Sequence, residues 1–140
     1  MIHCSGALIY SLKTERFLFL LRNGNKNDWG LVGGGVEDGE TSWEGLQREI
    51  REEIGEREII KTLPLETFVS NDGGFNYHTY MCLIEEEFVP ILNDEHVGYA
   101  WVDWDKWPKP LHRGLRNTLQ SRINKTKIET VMSLAGTILV

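Results

Sequence analysis

Cysteine, proline and long apolar runs are all scarce in this 140-residue chain. Two cysteines, Cys4 and Cys82, are too few for a secreted disulfide framework; they read as reduced core thiols, which suits a cytoplasmic protein. Four prolines beside five Trp, four Tyr and five Phe exclude a disordered or low-complexity chain. The longest apolar run, Phe17-Leu18-Phe19-Leu20-Leu21, is strand-sized and far below the roughly 20 residues that span a bilayer, so no membrane partner is expected. No basic run precedes Ala7-Leu8-Ile9-Tyr10 and no small-residue cleavage site follows it, so no signal peptide is expected. Without a repeat or linker, residues 1–140 read as a single domain whose 41% hydrophobic content is enough to build one core.

The net charge of −6 is unevenly spread. Residues 37–56 carry eight acids against Arg48 and Arg51, so the whole excess lies there, and the remaining charges of the two signs cancel. Such a pole repels phosphates unless a cation intervenes. Lys109, Arg113, Arg116, Arg122, Lys125 and Lys127 form an opposite pole with no acid among them.

Residues 4–10 and 16–22 read as a strand pair, followed by the turn-rich segment 23–28 and a short strand around Trp29–Val32. Gly33-Gly34-Gly35 is expected to break regular structure. Thr41-Ser42-Trp43-Glu44 has capping-box spacing and opens a helix that Gly55 ends, just past the C-cap. Residues 58–69, 75–86 and 97–102 are β-rich, and Leu111, Leu115 and Leu119 predict a helix over about 110–122. The last dozen residues are apolar and fit strand, helix or partner surface equally. Strands with one central and one late helix argue for an α+β fold, a mixed sheet covered by helices.

On the 41–54 helix, Trp43, Leu46, Ile50 and Ile54 form a core-facing stripe. Glu49, Glu52 and Glu53 stand at i, i+3 and i+4 on another face, a spacing that costs a helix about 0.2–0.5 kcal/mol per like-charged pair. Two readings of the trio are open: a solvated acidic surface, or a site for a hard cation. The glycines just before the helix favour the second, because they let backbone approach its amino end. Other phosphate sites lack support: no Gly-rich run ends in Lys-Ser/Thr, Asp38 occupies the last glycine position of a dinucleotide fingerprint, and no paired Cys/His spacing suggests zinc.

The full spacing is Gly34, five residues, Glu40, seven residues, Arg48-Glu49, Ile50, Arg51, Glu52-Glu53, Ile54, Gly55. It resembles the signature of the Nudix hydrolases, and seven such letters match by chance about once in 10⁸ to 10⁹ starting positions. Phe19-Leu20-Leu21-Arg22, Trp29-Gly30-Leu31 and Tyr99-Ala100-Trp101-Val102 extend the likeness along the chain. The chain departs from the family pattern at Glu56, in place of an aliphatic residue, and at Leu31-Val32, where a proline often precedes the paired glycines.

The resemblance implies a Nudix fold and hydrolysis of a phosphoanhydride bond in a small nucleotide, with Mg²⁺, or Mn²⁺ in its place, and water as nucleophile. It implies Glu49, Glu52 and Glu53 as metal ligands and catalytic residues, with Gly33 adding its carbonyl. Which glutamate acts as base is left open. Glu40 and Arg48 match the motif's internal ion pair. Arg22 stands where a phosphate-binding arginine is frequent and Glu95 where a further ligand or base occurs, against the plainer readings of surface arginine and loop acid. His96 reads best as an ordinary loop histidine. Phe75, Tyr77 and Tyr80 are candidates to line a base pocket, with core packing as the alternative, and Trp29, Trp101, Trp104 and Trp107 are assigned to packing. A dinucleoside-polyphosphate hydrolase, an RNA-end hydrolase using residues 109–127, and a regulatory nucleotide-binding domain are the competing functions. Nucleic acid is the less favoured partner, and pairing into a homodimer is left open.

Overall fold

A computed structural model of the chain describes residues 1–24 and 27–138, so part of the turn-rich 23–28 segment and the last two residues lie outside the described ones. Strands β1 (Ile2–Ser11) and β2 (Phe17–Arg22) pair antiparallel, with Ile9 opposite Leu18. The expected Trp29–Val32 strand divides at Leu31 into β3 (Trp29–Gly30), which pairs with β2, and β4 (Val32–Gly35), which pairs with β1. After α1 (Ser42–Ile54) come β5 (Lys61–Val69), β6 (Phe75–Ile84) and β7 (His96–Val102). The path β3-β2-β1-β6-β5 is completed by β4 on β1 and β7 on β2. Because β1 and β6 run parallel while the other pairs are antiparallel, the sheet is mixed.

Strand alternation sends β1 side chains into two cores. Ala7 and Ile9 join Leu18, Leu20 and the Leu46, Ile50 and Ile54 stripe of α1. Leu8 and Tyr10 join Phe17, Phe19 and the residues of α2 (Arg113–Gln120) and α3 (Arg122–Ile138), among them Leu115, Leu119 and Ile128. Helices therefore cover both faces, giving the α/β/α layering that the resemblance implies. Trp107 extends the second core by packing edgewise on Phe17 and Trp104, and Trp104 packs on Phe17 at a tilt. The single late helix expected over 110–122 is two helices meeting at Ser121, and the apolar carboxyl end continues α3 with Ala135 buried.

The box at the start of α1 forms: Thr41 Oγ1 accepts the Glu44 N–H at 3.1 Å and Glu44 Oε1 accepts the Thr41 N–H at 2.8 Å. Gly55 sits at the C-cap itself, with φ +88°.

Gly33-Gly34-Gly35 does not interrupt the sheet. Gly33 lies opposite Gly6 and Gly34 opposite Ser5. The glycines serve close approach: a Cβ on Gly33 would stand 2.1 Å from Ser5 O, and one on Gly34 would stand 2.6 Å from Glu49 Cδ. β4 is thereby pressed between β1 and the acidic side of α1. Gly33→Ala is expected to destabilise the protein by about 1–3 kcal/mol. Gly35→Ala, where a Cβ meets nothing within 4 Å, should change stability by less than about 0.5 kcal/mol. Urea denaturation of the two variants checks the contrast.

Candidate functional site

Glu53 lies on the inward side of α1 and is 1% exposed. Its Oε1 accepts the Gly33 N–H of β4 at 2.9 Å. Its Oε2 stands 3.3 Å from His96 Nδ1, at the start of β7. Both of those atoms are buried, and neither makes a hydrogen bond among the described residues. Glu95 adjoins them, and one ligand atom from each of Glu53, Glu95 and His96 lies within 4.8 Å of the others. This cluster can coordinate a divalent metal.

The loop carrying Glu95 is tied down at several points. Asn23 N–H donates to Glu95 O at 2.8 Å, Glu95 N–H to Asn93 Oδ1 at 3.0 Å, and Asn93 Nδ2 to Glu52 O at 3.2 Å. The β2–β7 pairing shifts register between Leu21 and Arg22, and this irregularity sets His96 opposite Arg22.

Arg48 gathers the surrounding carboxylates. Its Nε lies 2.9 Å from Glu40 Oε2, its Nη2 donates to Glu40 Oε1 at 3.2 Å and to Gly35 O at 2.8 Å, and its Nη1 lies 3.1 Å from Glu49 Oε1 and 3.3 Å from Glu52 Oε2. One guanidinium thus joins the end of β4 to α1 and partly offsets the like charges along the helix. The Arg48 hydrogen bond holds the Glu40 carboxyl below its ordinary range.

The acidic trio does not share one environment. The Glu52 side chain is 54% exposed and that of Glu49 13%. Burial raises the Glu49 pKa, against the pull of Arg48. At Glu53, burial pushes the carboxyl up to about 8; the Gly33 N–H opposes this, and the charges of Glu49 and Glu95 reinforce it. Burial lowers the His96 pKa. Without a metal, burial thus favours the protonated form of Glu53 and the neutral form of His96.

A cavity of about 680 Å³ opens from this cluster, with Arg22, Gly33, Gly34, Glu53, Glu95 and His96 in its wall. Such a volume is ample for a nucleotide-sized molecule. Arg22 is half exposed there, with Nε 3.7 Å from Asp28 Oδ1. The far wall comes from one face of β5 and β6, where Phe68 lies opposite Tyr77 and Glu66 opposite Thr79. Phe75 and Tyr77 belong to this wall. Tyr80 does not: on the other face of β6 it hydrogen-bonds Ser42 and packs on Trp43 at 5.7 Å between ring centroids. The odd–even alternation of a strand separates it from the other two aromatics.

His96 is a second correction: it is a buried strand residue beside Glu53, not an ordinary loop histidine. Sequence reasoning also passed over Glu66, His112 and Asn117, which line the cavity. Alternation along β5 from Phe68 to Glu66 is the one sequence signal that could have found any of them.

Comparison with known proteins bears on this geometry. The NUDIX domain family model matches residues 3–121. The nucleoside triphosphatase NudI of Salmonella arizonae is 39% identical over 85 residues, a match covering 53% of this chain and 60% of that protein. The chain thus matches about 60% of the length of such curated relatives. Among solved structures, the MutT NUDIX hydrolase from Burkholderia pseudomallei superposes with a TM-score of 0.66 at 25% identity, covering 86% of this chain and 97% of that one. The MutT protein from Methanosarcina mazei Go1 gives 0.71 at 25% identity, covering 90% and 94%.

The raised Glu53 pKa makes stability depend on pH. Between its ordinary value of 4.5 and about 8, the folded state holds a proton that the unfolded state has lost, so stability falls as pH rises through that window. His96 acts oppositely, but only below its ordinary 6.5. From pH 6.5 to 9 the Tm of the metal-free protein should therefore decline, and Glu53→Gln should flatten the decline; thermal melts across that range check it.

Proposed function

The chain belongs to the Nudix hydrolase family, and from that premise we propose that it is a divalent-metal-dependent pyrophosphohydrolase of a small nucleotide, a nucleoside triphosphate or a related nucleoside diphosphate derivative. The observation that carries the reading is the buried pair of Glu53 Oε2 and His96 Nδ1, two polar atoms without hydrogen bonds that face one gap together with Glu95. Buried polar groups left without a partner are costly, and a bound cation removes that cost.

The donor set fits a hard ion. Glu49, Glu52 and Glu53, with the Gly33 carbonyl and with Glu95 from the β7 side, would supply oxygen, which suits Mg²⁺ or Mn²⁺, and His96 Nδ1 faces the same gap as a single nitrogen among them. When bound, such an ion neutralises phosphate oxygens and lowers the pKa of a coordinated water. The chain's own residues do the rest. Arg48 holds Glu49 and Glu40 in place, and the Gly33 N–H orients Glu53. Arg22, at the cavity wall, provides a guanidinium for a substrate phosphate. Glu53, buried between the Gly33 N–H and His96, would give up its proton as the ion binds.

Size and charge favour a small substrate over RNA, since no Lys or Arg between 109 and 127 lines the cavity. The similarity to the Salmonella nucleoside triphosphatase agrees with this reading. All the motif carboxylates are kept, which favours turnover over a purely regulatory nucleotide-binding role.

The test is a Mg²⁺- and Mn²⁺-dependent assay across nucleoside triphosphates, dinucleoside polyphosphates, nucleotide sugars and capped RNA, with products identified. Metal-dependent release of a nucleoside monophosphate is expected, and chelation should abolish it. Glu53→Gln should lower kcat by at least about 10²-fold with an unchanged circular dichroism spectrum; full activity in that variant would remove its assigned role.

A further inference from the structure

The cavity runs from the acidic cluster to a second carboxylate that the proposed reaction leaves unused. Glu66 lies at the irregularity in the β5–β6 pairing, opposite Thr79, and shares the cavity wall with Phe68, Tyr77 and Phe75, which follow along the same face. It is held from both sides: Thr118 Oγ1 of α2 donates to Oε1 at 2.8 Å and Asn124 Nδ2 of α3 donates to Oε2 at 2.6 Å. Asn124 is 2% exposed, and its amide also donates to Thr118 O at 3.0 Å, so the clamp is part of the packed interior. Both donors are neutral, and among the described residues Glu66 forms no ion pair.

An ionised carboxylate is an acceptor only, with about four lone-pair positions over its two oxygens. Two are taken by Thr118 and Asn124, which leaves acceptor capacity on each oxygen. A ring seated against the aromatic wall therefore meets an anionic pair of acceptors in fixed geometry. The favourable match is a ring edge with two adjacent N–H donors. Guanine carries such an edge in its N1–H and 2-amino groups. Adenine and cytosine set an amino donor beside a ring-nitrogen lone pair, and uracil sets its N–H between two carbonyls. Those edges bring an acceptor against Glu66, which leaves polar groups unpaired.

Resting on the nucleotide-hydrolase reading, we propose that the cavity selects a ring with a 2-amino-4-oxopyrimidine edge, as in guanine and pterins, with Glu66 accepting both N–H groups and Phe75 stacking on the ring. Thr118 and Asn124 are positioning residues that act through Glu66. The aromatic wall supplies stacking area, and the carboxylate supplies the discrimination.

Calorimetric titration of the protein in Mg²⁺ with GMP, IMP, AMP, CMP and neopterin monophosphate tests this. GMP is expected to bind at least about tenfold tighter than AMP or CMP, the discrimination that a bidentate base contact provides. It should bind about fivefold tighter than IMP, which lacks only the 2-amino group and so one hydrogen bond. Glu66→Gln, which replaces one acceptor by a donor, should erase the GMP–IMP difference, with thermal melts reporting whether that variant folds. The wild-type GMP–IMP comparison needs no variant. Equal affinity for GMP and IMP, a preference for AMP or CMP, or no GMP binding at millimolar concentration overturns the proposal; whichever of GMP and neopterin monophosphate binds tighter identifies the source of the ring. Parallel assays of the corresponding triphosphates read the hydrolase activity separately: similar turnover of all of them leaves that activity standing while removing the base selectivity.

Discussion

A carboxyl group inside a protein, one oxygen held by a backbone N–H and the other facing an imidazole without a hydrogen bond, is an unfavourable arrangement, and much of the molecule is organised to hold Glu53 in it. The Leu46, Ile50 and Ile54 stripe fixes the rotation of α1 against the sheet, which sends the Glu53 position inward. The glycine strand β4 lets that side chain approach the backbone, because any larger residue at Gly33 would strike β1. β7 brings His96 and Glu95 from the opposite side through its irregular pairing with β2. Three separate elements thus converge on one small polar volume.

Around that volume the charges are arranged in a graded way. Glu52 is half in solvent, Glu49 mostly buried and Glu53 almost wholly so, and burial raises the pKa of both Glu49 and Glu53. Arg48 is the counterweight, bound to Glu40, Glu49, Glu52 and the end of β4 at once. A divalent cation would reverse the sign of the local field, ionise Glu53 and let anionic phosphates approach. Arg22 stands in the cavity wall on the same side, and the aromatic wall of β5 and β6 faces the rest of the cavity.

Where local chemistry decides the structure, the sequence was readable. Reciprocal bonds between Thr41 and Glu44 start α1 where the capping-box spacing predicts, and the two amino-terminal strands pair as their apolar runs suggest. The spacing from Gly34 to Gly55 carried the family and hence the layered fold. Partner-dependent features were not readable. Three consecutive glycines look like a break until β1 is known to lie against them; then they are the residues that permit pairing. Helical spacing put Glu49, Glu52 and Glu53 on one face, but only β4 and β7 make the environments of that face unequal. His96 gives no sign of burial in its own neighbourhood, because a register shift against a strand more than seventy residues earlier determines it. Proximity in the chain groups Tyr80 with Phe75 and Tyr77, whereas the pleat separates them.

Glu53, Glu95 and His96, with the neighbouring carboxylates of α1, are placed to form a metal centre. The most direct measurement is a Mn²⁺ titration followed by electron paramagnetic resonance, with a non-hydrolysable nucleotide present, on the wild-type protein and on Glu53→Gln. The account predicts saturable loss of the free-ion signal in the wild type, tightening as pH rises toward 8, and binding weakened by at least about tenfold in the variant. Equal Mn²⁺ binding by the two proteins, or none by the wild type, would contradict it.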